Sequence, residues 1–234
     1  MIVPIILMSL GGVSLFFFLF EKVKAYSIKV VCIKAITSLL FIALGFYGFF
    51  VTSFNYLALF ICCGLICGLA GDIFLDLKYV YRENDFGWTL AGFIAFGVGH
   101  IFYITGMWLH FYQGQNVLYI IIPLIIGLVI GVGTILTEKI LKTNYGKLKI
   151  PGLCYAILLF SMVTTAFSVW MMTGFNNRAL LLIFIGGILF AVSDLILNMT
   201  YFGEGHEKPF DLISNSITYY AAQFLIALAV LFIL

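Results

Sequence analysis

Gly68-Leu69-Ala70-Gly71-Asp72-Ile73-Phe74-Leu75-Asp76 closes a long apolar run with two carboxylates one helical turn apart. A second stretch follows the same pattern. Ser193-Asp194-Leu195-Ile196-Leu197-Asn198 reads small residue, Asp, two apolar residues, Leu, then an amide where the first stretch has an acid. Placing an acid inside an apolar segment is costly in a bilayer; such acids are kept for function and face a protein interior or a wet cavity. The two stretches are therefore expected to meet, with chemistry between them.

The surrounding sequence decides what kind of medium holds these acids. Of 234 residues, 64% are hydrophobic and 9% charged, with a mean hydropathy of +1.18. Soluble domains carry about 25% charged residues, so this chain reads as an integral membrane protein. About 20 apolar residues cross a bilayer as a helix. On that rule eight spans fall near 2–20, 28–51, 55–76, 88–109, 117–136, 150–173, 180–200 and 212–233. Their connections are short, which predicts one all-α transmembrane bundle over residues 1–234. The first run lacks a basic leader and a small-residue cleavage site, so it reads as a retained helix. Cys32, Cys62, Cys63, Cys67 and Cys154 lie in apolar runs without paired spacing. They are expected to be buried small hydrophobes.

Charge placement sets the orientation. Lys22, Lys24 and Lys29 follow the first span, Lys78 and Arg82 the third, Lys139, Lys142, Lys147 and Lys149 the fifth, and Lys208 the seventh. The other loops hold only Arg178. Odd-numbered connections are thus expected on the cytoplasmic side, with both termini outward. The compact loops favour a bacterial inner membrane. No basic face for nucleic acid is present.

On that topology the polar groups within the spans gather in one half of the membrane. Asp72 and Asp76 end the third span; Ser193, Asp194 and Asn198 occupy the same end of the seventh. Lys34 lies within about two turns of the start of the second. Asn215, Tyr219 and Gln223 form an i, i+4, i+8 stripe on the eighth, and His100 and Tyr103 lie deeper in the fourth. This clustering predicts a shared cavity open toward the cytoplasmic leaflet. Asp72 and His100 are about as far apart in sequence as Asp194 and Gln223, which suggests two four-helix halves related by a parallel repeat. Gly64-x-x-x-Gly68 and Gly127-x-x-x-Gly131 offer flat surfaces for close helix packing.

Two carboxyl groups in one low-dielectric cavity resist ionising together, so Asp72 and Asp194 can divide acid and base roles. The plainer reading is a buried pair that merely holds helices together. Asp76 is either part of the site or solvated at its helix end. Lys34 either snorkels to the interface or serves as a phosphate contact or a counter-ion for Asp72. His100 is a proton relay or an ordinary satisfied polar group; Tyr103, Tyr219 and Gln223 would line the cavity, and Asn198 would orient water or a head group. His110 and His206 are assigned no role. Three scattered histidines do not suit a zinc site, and no nucleophile elbow or phosphate loop is present.

The ordered motifs Gly71-Asp72-x-x-Leu75, Phe96-x-x-x-His100-x-x-Tyr103, Gly187-x-x-x-Phe190-x-x-Ser193-Asp194-x-x-Leu197 and Tyr219-Tyr220-x-x-Gln223 resemble the YhhN-like lysoplasmalogenase family. Lys34 also fits; Ala35 after it departs from an expected Pro. The resemblance implies an eight-span hydrolase that cleaves the vinyl ether of lysoplasmalogens to a fatty aldehyde and a glycerophospho-head group. It implies Asp72 and Asp194 as catalytic residues, a lysophospholipid substrate drawn from the membrane, and no cofactor. The sequence leans to Asp72 as the acid, because Asp76 lies one turn away. Two other readings are a small-solute or proton-coupled transporter, and a metal-dependent lipid amidase or hydrolase.

Overall fold

The computed structural model describes residues 2–203 and 208–233; His206 lies outside the described residues. The helices in chain order are α1 (Ile2–Lys24), α2 (Ile28–Val51), α3 (Tyr56–Val80), α4 (Asp85–Phe111), α5 (Leu118–Leu136), the short α6 (Glu138–Leu141), α7 (Lys149–Met172), α8 (Arg178–Phe202) and α9 (Pro209–Ala229). Among the described residues eight helices are long and apolar enough to cross a membrane. The expected all-α polytopic bundle is therefore the fold. Several helices run past their expected ends. α1 continues to Lys24 and α3 to Val80, because the charges in their last turns find partners inside the protein.

Helix contacts follow the repeat that the two acid motifs suggest. α2, α3 and α4 pack in succession, as do α7, α8 and α9. α4 then packs on α7 and α9 on α2, which closes a ring of six helices; α1 sits outside on α2 and α5 outside on α7. Moving four spans along the chain maps each contact in the first half onto one in the second. α3 and α8 are each 25 residues long. Asn55 and Asn177 cap them by accepting hydrogen bonds from the backbone N–H of Leu57 (2.8 Å) and Leu180 (3.0 Å), the expected role of Asn at a helix start. Asn55, Asp72 and Asp76 each precede their counterparts Asn177, Asp194 and Asn198 by 122 positions (177 − 55, 194 − 72, 198 − 76).

In lipid, an apolar helix gains little hydrophobic energy by exchanging lipid for another helix, so close packing and buried polar contacts must hold the ring together. Gly127 and Gly131 let α5 approach α7 backbone to backbone. A Cβ at Gly127 would lie 2.5 Å from the backbone N of Ser161, and one at Gly131 would lie 2.7 Å from that of Ile157. On α3, Gly64 accepts the ring of Tyr103 and Gly68 the amide of Gln223. The half of the ring near the start of α3 is apolar, with Leu44, Leu57, Leu65 and Met107 fully buried. The buried charges Lys22, Lys34, Asp72 and Asp76 occupy the other half, at the lysine-rich end.

The cysteines depart from expectation. Cys62 alone of the five is buried; Cys63 and Cys67 are half-buried, and Cys32 and Cys154 are exposed on the flanks of α2 and α7. An apolar side chain facing lipid needs no protein cover, so an apolar run does not distinguish core from lipid-facing positions.

Candidate functional site

Four charges meet where α1, α2 and α3 converge. The Lys34 ammonium lies 3.4 Å from Asp72 Oδ1 and 3.2 Å from Asp76 Oδ1. Lys22 approaches Asp76 Oδ1 at 3.4 Å. All four side chains are buried, and two cations balance two carboxylates. Removing ions from water costs several kcal/mol each, which is recovered only where opposite charges meet in good geometry. The cluster decides where Asp76 and Lys34 lie. Asp76 is 2% exposed and is not solvated at a helix end. Lys34 does not snorkel; it is the counter-ion of both carboxylates. Lys22, which the sequence places among the loop lysines, reaches the cluster because α1 extends a turn further than the apolar run suggests.

The second oxygen of Asp72 accepts hydrogen bonds from Ser38 Oγ (2.6 Å) and Tyr219 Oη (2.8 Å). Tyr219 in turn accepts from Gln223 Nε2 at 3.0 Å, and Tyr103 Oη donates to Gln223 Oε1 at 3.5 Å. Tyr220 Oη lies 3.2 Å from Ser38 Oγ and donates to the Lys34 carbonyl at 3.2 Å. Asn215 Nδ2 donates to the Ser193 carbonyl (2.8 Å) and Oγ (3.2 Å), which clamps α8 to α9. The stripe on α9 thus performs two tasks: one end fastens α8, the other fixes Asp72.

Asp194 has different surroundings. Tyr155 Oη donates to its Oδ2, and His100 Nε2 lies 3.5 Å from the same hydroxyl. Among the described residues no Lys or Arg forms an ion pair with it. Asp72, Asp76, Lys22, Lys34, Ser193 and Asp194 line one small chamber. Asp194 also lines a neighbouring, mostly apolar cleft, walled by side chains such as Leu159, Phe160 and Leu195. Asn198 opens on this cleft and not on the chamber. The two acids thus share a cavity, and Asp194 stands at its junction with the apolar cleft.

The sequence assigns no site role to Lys22 or Tyr220, though it names both, and passes over Ser38 and Tyr155. Ser38 was recoverable, since it lies four residues after Lys34 and hence on the same helix face. Tyr155 carried no signal, because it stands alone among apolar residues on α7. His100 is buried and its Nδ1 has no hydrogen-bond partner. Among the described residues no three His, Cys, Asp or Glu side chains converge as a metal site would need. His110 lies in the last turn of α4, apart from this network.

The YhhN family model matches residues 6–230, nearly the whole chain. No curated protein and no solved structure matches it.

Proposed function

The chain belongs to the YhhN family, and from that premise we propose that it is a membrane hydrolase cleaving the vinyl ether bond of lysoplasmalogens to a fatty aldehyde and a glycerophospho-head group. The observation that carries this reading is the position of Asp194, between a charge-balanced chamber and an apolar cleft. A lysolipid with a single chain matches that division: hydrocarbon in the cleft, ether bond at Asp194, glycerol in the chamber.

The geometry favours Asp194, and not Asp72, as the acid. Lys22 and Lys34 already balance Asp72 and Asp76, so a third ionised carboxyl, on the half-buried Asp194, would leave an uncompensated charge in the cavity. Asp194 is then the neutral carboxylic acid. It transfers its proton to the β-carbon of the vinyl ether, forming a C–H bond and leaving an oxocarbenium ion. Asp72, an anion held by Lys34, Ser38 and Tyr219, stabilises that cation across the chamber. Water adds to the α-carbon and returns a proton to Asp194. The hemiacetal then breaks its bond to the glycerol oxygen, its hydroxyl proton passing to that oxygen, and aldehyde and alcohol depart. The Tyr155 hydrogen bond strengthens as Asp194 becomes an anion.

By the loop-charge rule the chamber end is assigned to the cytoplasmic side. A transport path would need polar groups continuing beyond Tyr103 and Gln223. Leu57 and Met107, both fully buried, occupy much of that region, and no buried charge continues into it, which supports the hydrolase reading. The test is aldehyde release from a lysoplasmalogen by the purified protein, run beside Asp72→Asn and Asp194→Asn. Release by the parent and loss in both variants is expected. A folded parent that releases no aldehyde refutes the vinyl ether assignment, and activity surviving in both variants refutes the site.

A further inference from the structure

Past the chamber, at the lysine-rich end of the bundle, an open pocket is lined by Tyr26, Lys78, Tyr79, Arg82, Asp85, Thr200 and Tyr201. Its chemistry differs from that of the two cavities inside. The Lys78 ammonium lies 3.3 Å from the centroid of the Tyr201 ring and 3.6 Å from Asp85 Oδ1. The Lys78 side chain is 10% exposed, whereas that of Asp85 is 63% exposed. Tyr26 and Tyr79 stack with ring centroids 4.0 Å apart. Tyr201 lines this pocket, the catalytic chamber and the apolar cleft alike, so its ring is the wall common to all three.

The position along the path matters as much as the composition. Both lysines of the chamber are committed to carboxylates. Two lysines there face two carboxylates, whereas in the outer pocket Lys78 and Arg82 face the single carboxylate of Asp85, so the outer pocket is the better place for a phosphate. The next cations along the path are Lys78 and Arg82, six and ten residues after Asp72. Tyr201 follows Asp194 by seven residues on the same helix, which is about 10 Å at the helical rise. A glycerol backbone with its phosphate bridges a gap of that order.

We infer that this pocket is a binding site for a zwitterionic phospho-head group, with the phosphate on Lys78 and Arg82 and the ammonium facing Asp85 and the tyrosine rings. Arg and Lys are the side chains suited to phosphate oxygens; a carboxylate beside aromatic faces is suited to an amine or quaternary ammonium. Having both signs of charge in one pocket selects a zwitterion over a simple anion. The inference rests on the lysophospholipid reading above and names the part of that substrate the chamber does not hold.

Binding measured on the purified full chain tests it without requiring cleavage. The probes are an ester-linked lysophosphatidylethanolamine, the matching lysophosphatidic acid and the matching monoacylglycerol. The parent is expected to bind the zwitterionic lysolipid tighter than the monoacylglycerol by about tenfold or more. Arg82→Gln and Lys78→Met should each erase most of that gap and leave monoacylglycerol affinity unchanged. Asp85→Asn should remove the preference for the zwitterion over lysophosphatidic acid. Glycerophosphoethanolamine should compete, and inorganic phosphate should not. Equal affinity of the parent for lysolipid and monoacylglycerol, an undiminished gap in both cation variants, or equal competition by inorganic phosphate would each overturn the inference. Arg82 is exposed, so its variant is not expected to compromise folding. Head-group-dependent binding without aldehyde release would strike the hydrolase reading alone; aldehyde release with no head-group dependence would strike this inference alone.

Discussion

Replacing Lys34 with Met removes one of the two cations that balance Asp72 and Asp76 while keeping most of the side-chain volume. Lys34 contacts both carboxylates, at 3.4 and 3.2 Å. At an effective dielectric constant near 20, each contact at that separation is about 5 kcal/mol of attraction. The cost of desolvating the ammonium offsets much of this. The remaining Lys22 reaches Asp76 but forms no ion pair with Asp72, so the variant buries a carboxylate without its counter-ion. Breaking a buried pair in this way costs about 3–5 kcal/mol, a large part of a net stability of about 5–15 kcal/mol. Adding Asp72→Asn restores neutrality, and the double variant is expected to recover about 1–3 kcal/mol relative to additive losses. Equilibrium unfolding in mixed micelles, followed by far-UV circular dichroism at neutral pH, measures all four corners of the cycle. A single variant that loses less than about 1 kcal/mol, or a cycle that closes additively, refutes the charge-balance account and with it the assignment of Asp194 as the neutral acid.

Three further outcomes follow from the geometry. Tyr155→Phe removes the hydroxyl that donates to Asp194. Loss of a hydrogen bond to a group that becomes charged is about 1.5–3 kcal/mol, so kcat should fall by about tenfold to a hundredfold with KM little changed. A variant that instead changes KM alone would show that Tyr155 only shapes the cleft. Gly127→Ala forces a Cβ against the backbone of Ser161, and overpacking of this kind costs about 1–3 kcal/mol; thermal unfolding in detergent should show the loss, and an unchanged midpoint would mean that α5 can move away freely. At the α6–α7 connection, the Lys149 ammonium beside Glu138 holds its carboxyl below the usual glutamate range. Because the folded value is depressed, the stabilisation is fully present above the ordinary value of about 4.3 and is lost as pH falls through the folded value. Amide protection over residues 138–149 should therefore drop in acid below about pH 4, and Glu138→Gln should flatten that dependence.

Composition and span length were enough to read the architecture, because in a bilayer every backbone polar group must be satisfied within the chain and a greasy sequence has few other folds open to it. The acid motifs were legible for a similar reason: Asp72 and Asp194 stand out against an apolar background, and their matched spacing foreshadowed the four-span repeat that the helix contacts display. Helix ends were less legible. A charged residue after an apolar run looks like a boundary, yet Lys22 and Asp76 continue their helices because each meets a partner across the bundle.

What the sequence determined by itself was local: which segments cross the membrane, which of their residues are too costly to be incidental, and which end of the bundle collects them. Only the tertiary structure decided how charge is shared among those residues. Lys34 lies 38 positions before Asp72 (72 − 34), and Tyr155 lies 39 before Asp194; no periodicity reports on partners so far apart. Whether a carboxyl is an ion or an acid depends on the few ångströms around it, since electrostatic attraction and desolvation both change steeply at that range. The two halves of this chain repeat the acid but not its partners: the first sets it against lysines and hydroxyl donors, the second against a single tyrosine beside an apolar cleft. That asymmetry arises from helix packing, and it is what separates the roles of two otherwise matching aspartates.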